Sequence, residues 1–156
     1  MQFRTKRIKL VAVVVGALIA ATLGLSATPA SAAEVHCTGF TWVPSDGGLY
    51  LHRPSTTGNS GNYNCVVVRG DHNYAVLALQ ESVNTCYSTI TARLDEDSDF
   101  GTHTEQAVKD IQKWTNETYY GAGLSVDGRF GPKTSSWFAF MQYKSDGSHT
   151  TGCRRA

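Results

Sequence analysis

Four cysteines, five histidines and a close run of aspartates are the residues of this 156-residue chain whose types could carry chemistry. The aspartates stand as Asp95-x-Asp97-x-Asp99, the opening of a calcium loop. A loop counted from Asp95 needs Gly at its sixth position for the sharp turn and Glu at its twelfth as bidentate ligand. Phe100 and Gln106 stand there, with Gly101 and Glu105 each displaced by one. A turn of solvated acids is the better reading. His36, His52, His72, His103 and His149 are scattered, and no H-E-x-x-H or similar metal spacing occurs. Cys37, Cys65, Cys86 and Cys153 contain no C-x-x-C pair, which argues against zinc, and pairing in disulfides would leave no thiolate nucleophile.

The elements that would position these residues begin after residue 33. Arg4, Lys6, Arg7 and Lys9 precede an apolar run of 16 residues from Leu10 to Leu25, and Ser26-Ala-Thr-Pro-Ala-Ser-Ala-Ala33 closes it with small residues. That order is a secretory signal, with cleavage after Ala32 or Ala33. The run falls short of the ~20 residues that span a bilayer, and the absence of an adjacent Arg pair favours the general export route. The signal holds four of the 14 basic residues and none of the 13 acidic ones, so the formal +1 of the whole chain becomes −3 over the remaining 123 residues. A mildly acidic product argues against a nucleic-acid partner held by charge. With 41% apolar and 17% charged residues the chain is neither disordered nor a coiled coil. An even cysteine count in a small exported protein reads as two disulfides. Three pairings are open, and Cys37–Cys65 with Cys86–Cys153 is preferred. The first would tie a lobe over residues 34–70 and the second would pin a tail over 144–156, contributing on the order of 3.5 and 4.4 kcal/mol.

Residues 34–70 carry turn signals, Asp46-Gly-Gly48 and Ser55–Asn62, between short β-rich runs, and no chemistry is read there. From Asp71 onward the pattern is helical. Val76, Leu79 and Val83 define a first helix with Asp71 as cap. Thr102-His-Thr-Glu105 has the form of a capping box before Ala107, Val108, Ile111 and Trp114. A third, largely buried helix is expected from Gly131-Pro132 through Trp137, Phe138, Phe140 and Met141. Sliding the chain by 30 residues superposes Leu94, Asp97, Phe100, Gly101, Thr104 and Gln112 on identical residues at 124, 127, 130, 131, 134 and 142. Val76, Leu79 and Gln80 echo Val108, Ile111 and Gln112 at a shift of 32. Such periodicity means one supersecondary unit used again. The aspartates would close tight turns, the phenylalanines enter the core, and the threonines meet free N–H groups in the first helical turn.

Val126-Asp-Gly-Arg-Phe-Gly-Pro-Lys-Thr-Ser-Ser-Trp-Phe-Ala-Phe-Met-Gln142 resembles the signature of the peptidoglycan-binding-like domain family, a module attached to many bacterial cell-wall hydrolases. Ala75–Gln80 is similar to its first helix and Asp97–Val108 to its middle turn and helix, so the resemblance covers residues 71–143. The Tyr119-Tyr-Gly-Ala-Gly123 linker and the Cys86/Cys153 pair depart from the family pattern. The resemblance implies a three-helix module; with the small disulfide-tied, irregular or β N-terminal lobe read over residues 34–70, the expected fold is mainly α. The resemblance also implies a non-catalytic anchor that binds cell-wall peptidoglycan.

A glycan–peptide polymer offers sugar faces, amides and carboxylates, for which aromatic platforms and an Arg are the matching groups. The candidates are Tyr119, Tyr120, Asp127 and Arg129, whereas Trp114, Trp137 and Phe138 read as core by their helical spacing. No catalytic residue, metal or cofactor is expected, since about 37 residues outside the helical part are too few for a catalytic domain. The expectation is a secreted or wall-associated monomer with peptidoglycan as partner, no nucleic acid, and no membrane once the signal is gone. The alternatives are a small wall hydrolase with an unrecognised site and a secreted module for a protein partner.

Overall fold

A computed structural model describes residues 33–156 of the chain, so the expected export signal lies outside the described residues, Ala33 excepted. The first two strands, β1 (Gly39–Pro44) and β2 (Tyr50–Ser55), form an antiparallel hairpin with Gly39 opposite Ser55 and Pro44 opposite Tyr50. Its turn passes through Gly47 and Gly48 at φ 68° and 73°, a left-handed conformation that glycine adopts without a Cβ clash.

Helix α1 (Tyr74–Cys86) starts at Asn73, whose side-chain oxygen accepts from the N–H groups of Ala75 and Val76 at 2.9 and 3.3 Å. Asp71 is not the cap. Its carboxylate accepts instead from the Val68 N–H at 2.8 Å and faces His36 Nδ1 at 2.7 Å. Helix α2 (Thr102–Thr118) is entered from Gly101 without a side-chain cap, so the expected capping box does not form, and Glu105 pairs along the helix with Lys109. Helix α3 (Pro132–Trp137) has Pro at its first turn, as expected, but lasts six residues.

At Phe138 the backbone turns extended (φ −84°, ψ 138°), and Ala139–Tyr143 is a strand, β3. It lies between β2 and the last strand, β4 (His149–Arg155), in an antiparallel sheet of order β1-β2-β3-β4. The expected mainly α, three-helix module is therefore overturned: the fold is α+β. The reason is local. Phe138 and Phe140 are buried on either side of half-buried Ala139, and Tyr143 is buried beyond half-buried Gln142, a near-alternation that suits a sheet as well as it suits a helix face. Backbone donors of β3 also reach α1 and the Tyr87 that caps its end. The Ala139 N–H donates to the Tyr87 hydroxyl at 2.6 Å and the Met141 N–H to Ser82 Oγ at 3.2 Å.

Helix α1 packs against all four strands. The core between them holds Leu51, Val67, Val76, Leu79, Val83, Phe100, Val108, Ile111, Phe130, Phe138 and Phe140. Strands from the expected lobe, module and tail thus share one sheet, and Ala33–Ala156 is one compact unit. The disulfides are Cys37–Cys65 and Cys86–Cys153, with Cα atoms 5.1 and 5.7 Å apart. The second joins the end of α1 to β4.

Candidate functional site

The thirty-residue echo is a structural repeat built on two buried glutamines. Gln80 Nε2 lies 2.8 Å from Asp97 Oδ1, 3.0 Å from the Asp99 carbonyl and 3.3 Å from Thr104 Oγ1, while its Oε1 accepts from the Ser98 N–H. Gln112 repeats this with Asp127 Oδ1 at 3.0 Å, the Arg129 carbonyl at 3.0 Å and Thr134 Oγ1 at 3.2 Å. Its Oε1 accepts from the Asp127 and Gly128 N–H groups. An asparagine one turn on clasps the incoming chain in both copies. Asn84 exchanges two hydrogen bonds with the Leu94 backbone, and Asn116 does so with Leu124. The spacing between asparagine and leucine is ten residues in one copy and eight in the other, which is why the helices echo at 32 and the turns at 30. Phe100 and Phe130 are buried as the pattern requires.

Each copy opens a cleft at the start of the following helix, and the two clefts are lined by corresponding positions. The first (260 Å³) is bordered by Gln80, Leu94, Asp95, Asp97, Asp99, His103 and Thr104. The second (170 Å³) has Gln112, Leu124, Ser125, Asp127, Arg129, Lys133 and Thr134 in those places. The scaffold is kept and the charge is reversed: Ser125 replaces Asp95, Arg129 replaces Asp99, and Lys133 replaces His103. The second cleft continues past Asp127 and Arg129 to a 230 Å³ hollow beside Arg69 and Glu105, and past Val66 and Pro132 to one of 290 Å³ beside Glu34 and Asn64. Arg129 stands where the second cleft and the 230 Å³ hollow meet, and this is the groove around Arg129.

Of the four residues proposed from sequence, Asp127 and Arg129 come together in this groove. Asp127 Oδ1 is engaged within its own turn, accepting from Gln112 and from the Arg129 N–H at 2.9 Å. Arg129 is half-exposed and pairs with Glu34, a contact that raises the guanidinium's proton affinity and lowers that of the Glu34 carboxyl. Tyr119 packs edge-on against Trp114 and tilted against Trp137, with the Arg155 guanidinium 3.9 Å above its ring. Tyr120 is fully exposed. Neither tyrosine lines the groove. Lys133, whose Nζ donates to the Gly123 carbonyl at 2.5 Å, and Glu34 were missed from sequence, although the 30-residue alignment places Lys133 opposite His103. Phe138 is core, while Trp114 and Trp137 are partly exposed.

A second polar cluster stands beneath the sheet. The Tyr143 hydroxyl donates to Glu81 Oε2 at 2.6 Å, and His149 Nε2 lies 3.6 Å from Glu81 Oε1. His52 is stacked between Phe40 and Tyr143, at 4.1 and 3.6 Å, and its buried Nε2 has no partner among the described residues. Burial, with His149 nearby, lowers its pKa to about 4, so the ring is neutral. Burial also raises the Glu81 and Tyr143 values. None of these residues lines the clefts above, and the cluster ties α1 to the sheet. Among the described residues no group of three His, Cys, Asp or Glu is placed to hold a metal ion, and no helix is long and apolar enough to cross a membrane. Compared with protein-family models, curated proteins and solved structures, the chain matches none.

Proposed function

We propose that this protein is secreted and binds bacterial cell-wall peptidoglycan without catalysis, holding carboxylates of the stem peptides in the groove around Arg129. The observation that carries the reading is the reversed charge of the second cleft. An Arg and a Lys stand at the positions that hold Asp99 and His103 in the first copy, on an otherwise matching glutamine-braced frame. A planar guanidinium is suited to bidentate carboxylate contacts, with the ammonium adding a point charge. Glu34 already places a carboxylate on Arg129, so the site accepts such a group sterically. That pair is half-exposed, and exposed pairs contribute little, so a ligand carboxylate displaces Glu34 at small cost. Two disulfides and the export-type N-terminus support a location outside the cell.

Titration of the mature chain, residues 34–156, with a soluble muropeptide tests this by calorimetry. Arg129→Ala is expected to weaken binding about tenfold, the scale of one lost charge-assisted hydrogen bond. Glu34→Gln is expected to strengthen it a few-fold by removing the internal competitor. Absence of binding by the unaltered chain, or indifference to both substitutions, contradicts the proposal.

A further inference from the structure

The hairpin region, in which the sequence reading found no chemistry, carries a cleft of 340 Å³ on the opposite end of β1 from the glycine turn. Its walls are Phe40, Trp42 and Tyr74, with Thr38, Gly39, Gly58 and Asn59 completing it, and no lining residue is charged. The cleft is built by backbone choices. Gly39 lets the loop after β2 lie against β1, since a Cβ there would sit 2.7 Å from the Gly58 nitrogen. Asn59 adopts φ 54°, an uncommon left-handed conformation outside glycine, and is held there at both ends. Its N–H donates to the Phe40 carbonyl at 3.0 Å, and its Oδ1 accepts from the Trp42 N–H at 3.2 Å. The two Nδ2 donors of Asn59 and the hydroxyl of Tyr74 have no partner among the described residues. Tyr74 is 69% exposed although it is an aromatic at the first position of a helix with a buried face.

Aromatic faces, unspent neutral hydrogen-bonding groups and no charge are complementary to a ligand with one apolar face and a rim of hydroxyl or amide groups. A pyranose ring is such a ligand. We propose that this cleft binds one N-acetylated amino-sugar residue of the glycan strand. Its C–H face lies against Trp42 or Tyr74, and Asn59 Nδ2 donates to a hydroxyl or acetamido oxygen. The choice of amino sugar rests on the peptidoglycan reading; the saccharide chemistry rests on the cleft. The glycan and the stem peptide would then be held at separate sites, neutral and cationic.

The test is calorimetric titration of the mature chain with the tetramer of β-1,4-linked N-acetylglucosamine, beside maltotetraose. The amino-sugar tetramer is expected to bind, and maltotetraose at least tenfold more weakly. Tyr74→Ala, at an exposed position, is expected to lower affinity at least tenfold. Asn59→Asp, which keeps the Oδ1 contact to Trp42 and replaces the donor, is expected to do the same with the melting temperature within a few degrees. Arg129→Ala is expected to leave tetramer binding unchanged. No tetramer binding, equal binding of maltotetraose, or binding indifferent to both cleft substitutions overturns the assignment. Muropeptide binding without tetramer binding removes this cleft and keeps the Arg129 groove; tetramer binding together with muropeptide binding that Arg129→Ala does not weaken does the reverse.

Discussion

Gln112 makes five contacts within hydrogen-bond distance from a side chain that is 1% exposed, four to the turn that carries Asp127 and Arg129 and the fifth to Thr134 in the first turn of α3. Replacing it with leucine leaves the buried Gly128 N–H without its partner and removes the Gln112 contact from the part-buried Asp127 N–H and Arg129 carbonyl, at about 3 kcal/mol in total. Urea unfolding of Gln112→Leu is expected to read that loss, with weakened muropeptide binding at permissive temperature. His52 poses a separate residue-scale test. Its folded pKa of about 4 lies below the ordinary 6.5, so the unfolded chain binds more protons between those values. Its stabilising effect is therefore complete above pH 6.5 and is lost as pH falls to about 4, up to about 3 kcal/mol. His52→Phe keeps an aromatic ring in the stack and removes the buried unpaired nitrogen. Its advantage over the parent chain is expected to grow by that amount between pH 6.5 and 4. Glu81, held above its ordinary value by burial, acts in the opposite sense and is present in both proteins, so the difference reads His52 together with its coupling to His149.

At the scale of elements, the Cys86–Cys153 bond joins α1 to the outer strand β4, most of whose residues are exposed. The double substitution Cys86→Ser with Cys153→Ser is expected to cost about 2–4 kcal/mol. It is also expected to speed amide exchange in β4 before β1 and β2. Thermal melts and hydrogen exchange read both effects. What the sequence made legible was the repeated turn. The positions that pair with Gln80 and Gln112 are spaced by fixed local geometry, so Asp97 and Asp127 close their turns as the pattern requires. Thr104 and Thr134 stand in the first helical turn, but their hydroxyls donate to the Asp99 and Arg129 carbonyls instead of meeting free N–H groups. The preferred disulfide pairing is also the one present. What it hid was non-local. The near-alternation of Ala139–Tyr143 suits a helix face as well as a strand, and what decides for the strand is its ladder partners: β2, far earlier in the chain, and β4, just beyond the turn at 144–148. Gln142 shows the limit of the echo. It aligns with Gln112, yet it is a strand residue whose Nε2 donates to Ser45 Oγ at 2.9 Å.

At the scale of the whole molecule, the single compact unit over Ala33–Ala156 presents, beside the acidic cleft of the first repeat, a neutral aromatic cleft and a cationic one. Arg129 was legible as a candidate because it stands in the repeat. The aromatic cleft was not, because Phe40, Trp42, Asn59 and Tyr74 are brought together by the loop after β2 lying back on β1. Cosedimentation of the mature chain with purified peptidoglycan sacculi tests the central claim most directly. The protein is expected in the pellet, with Arg129→Ala shifted toward the supernatant and Glu34→Gln shifted further into the pellet. Protein that stays in the supernatant at low ionic strength, or a pellet fraction that neither substitution moves, would contradict it.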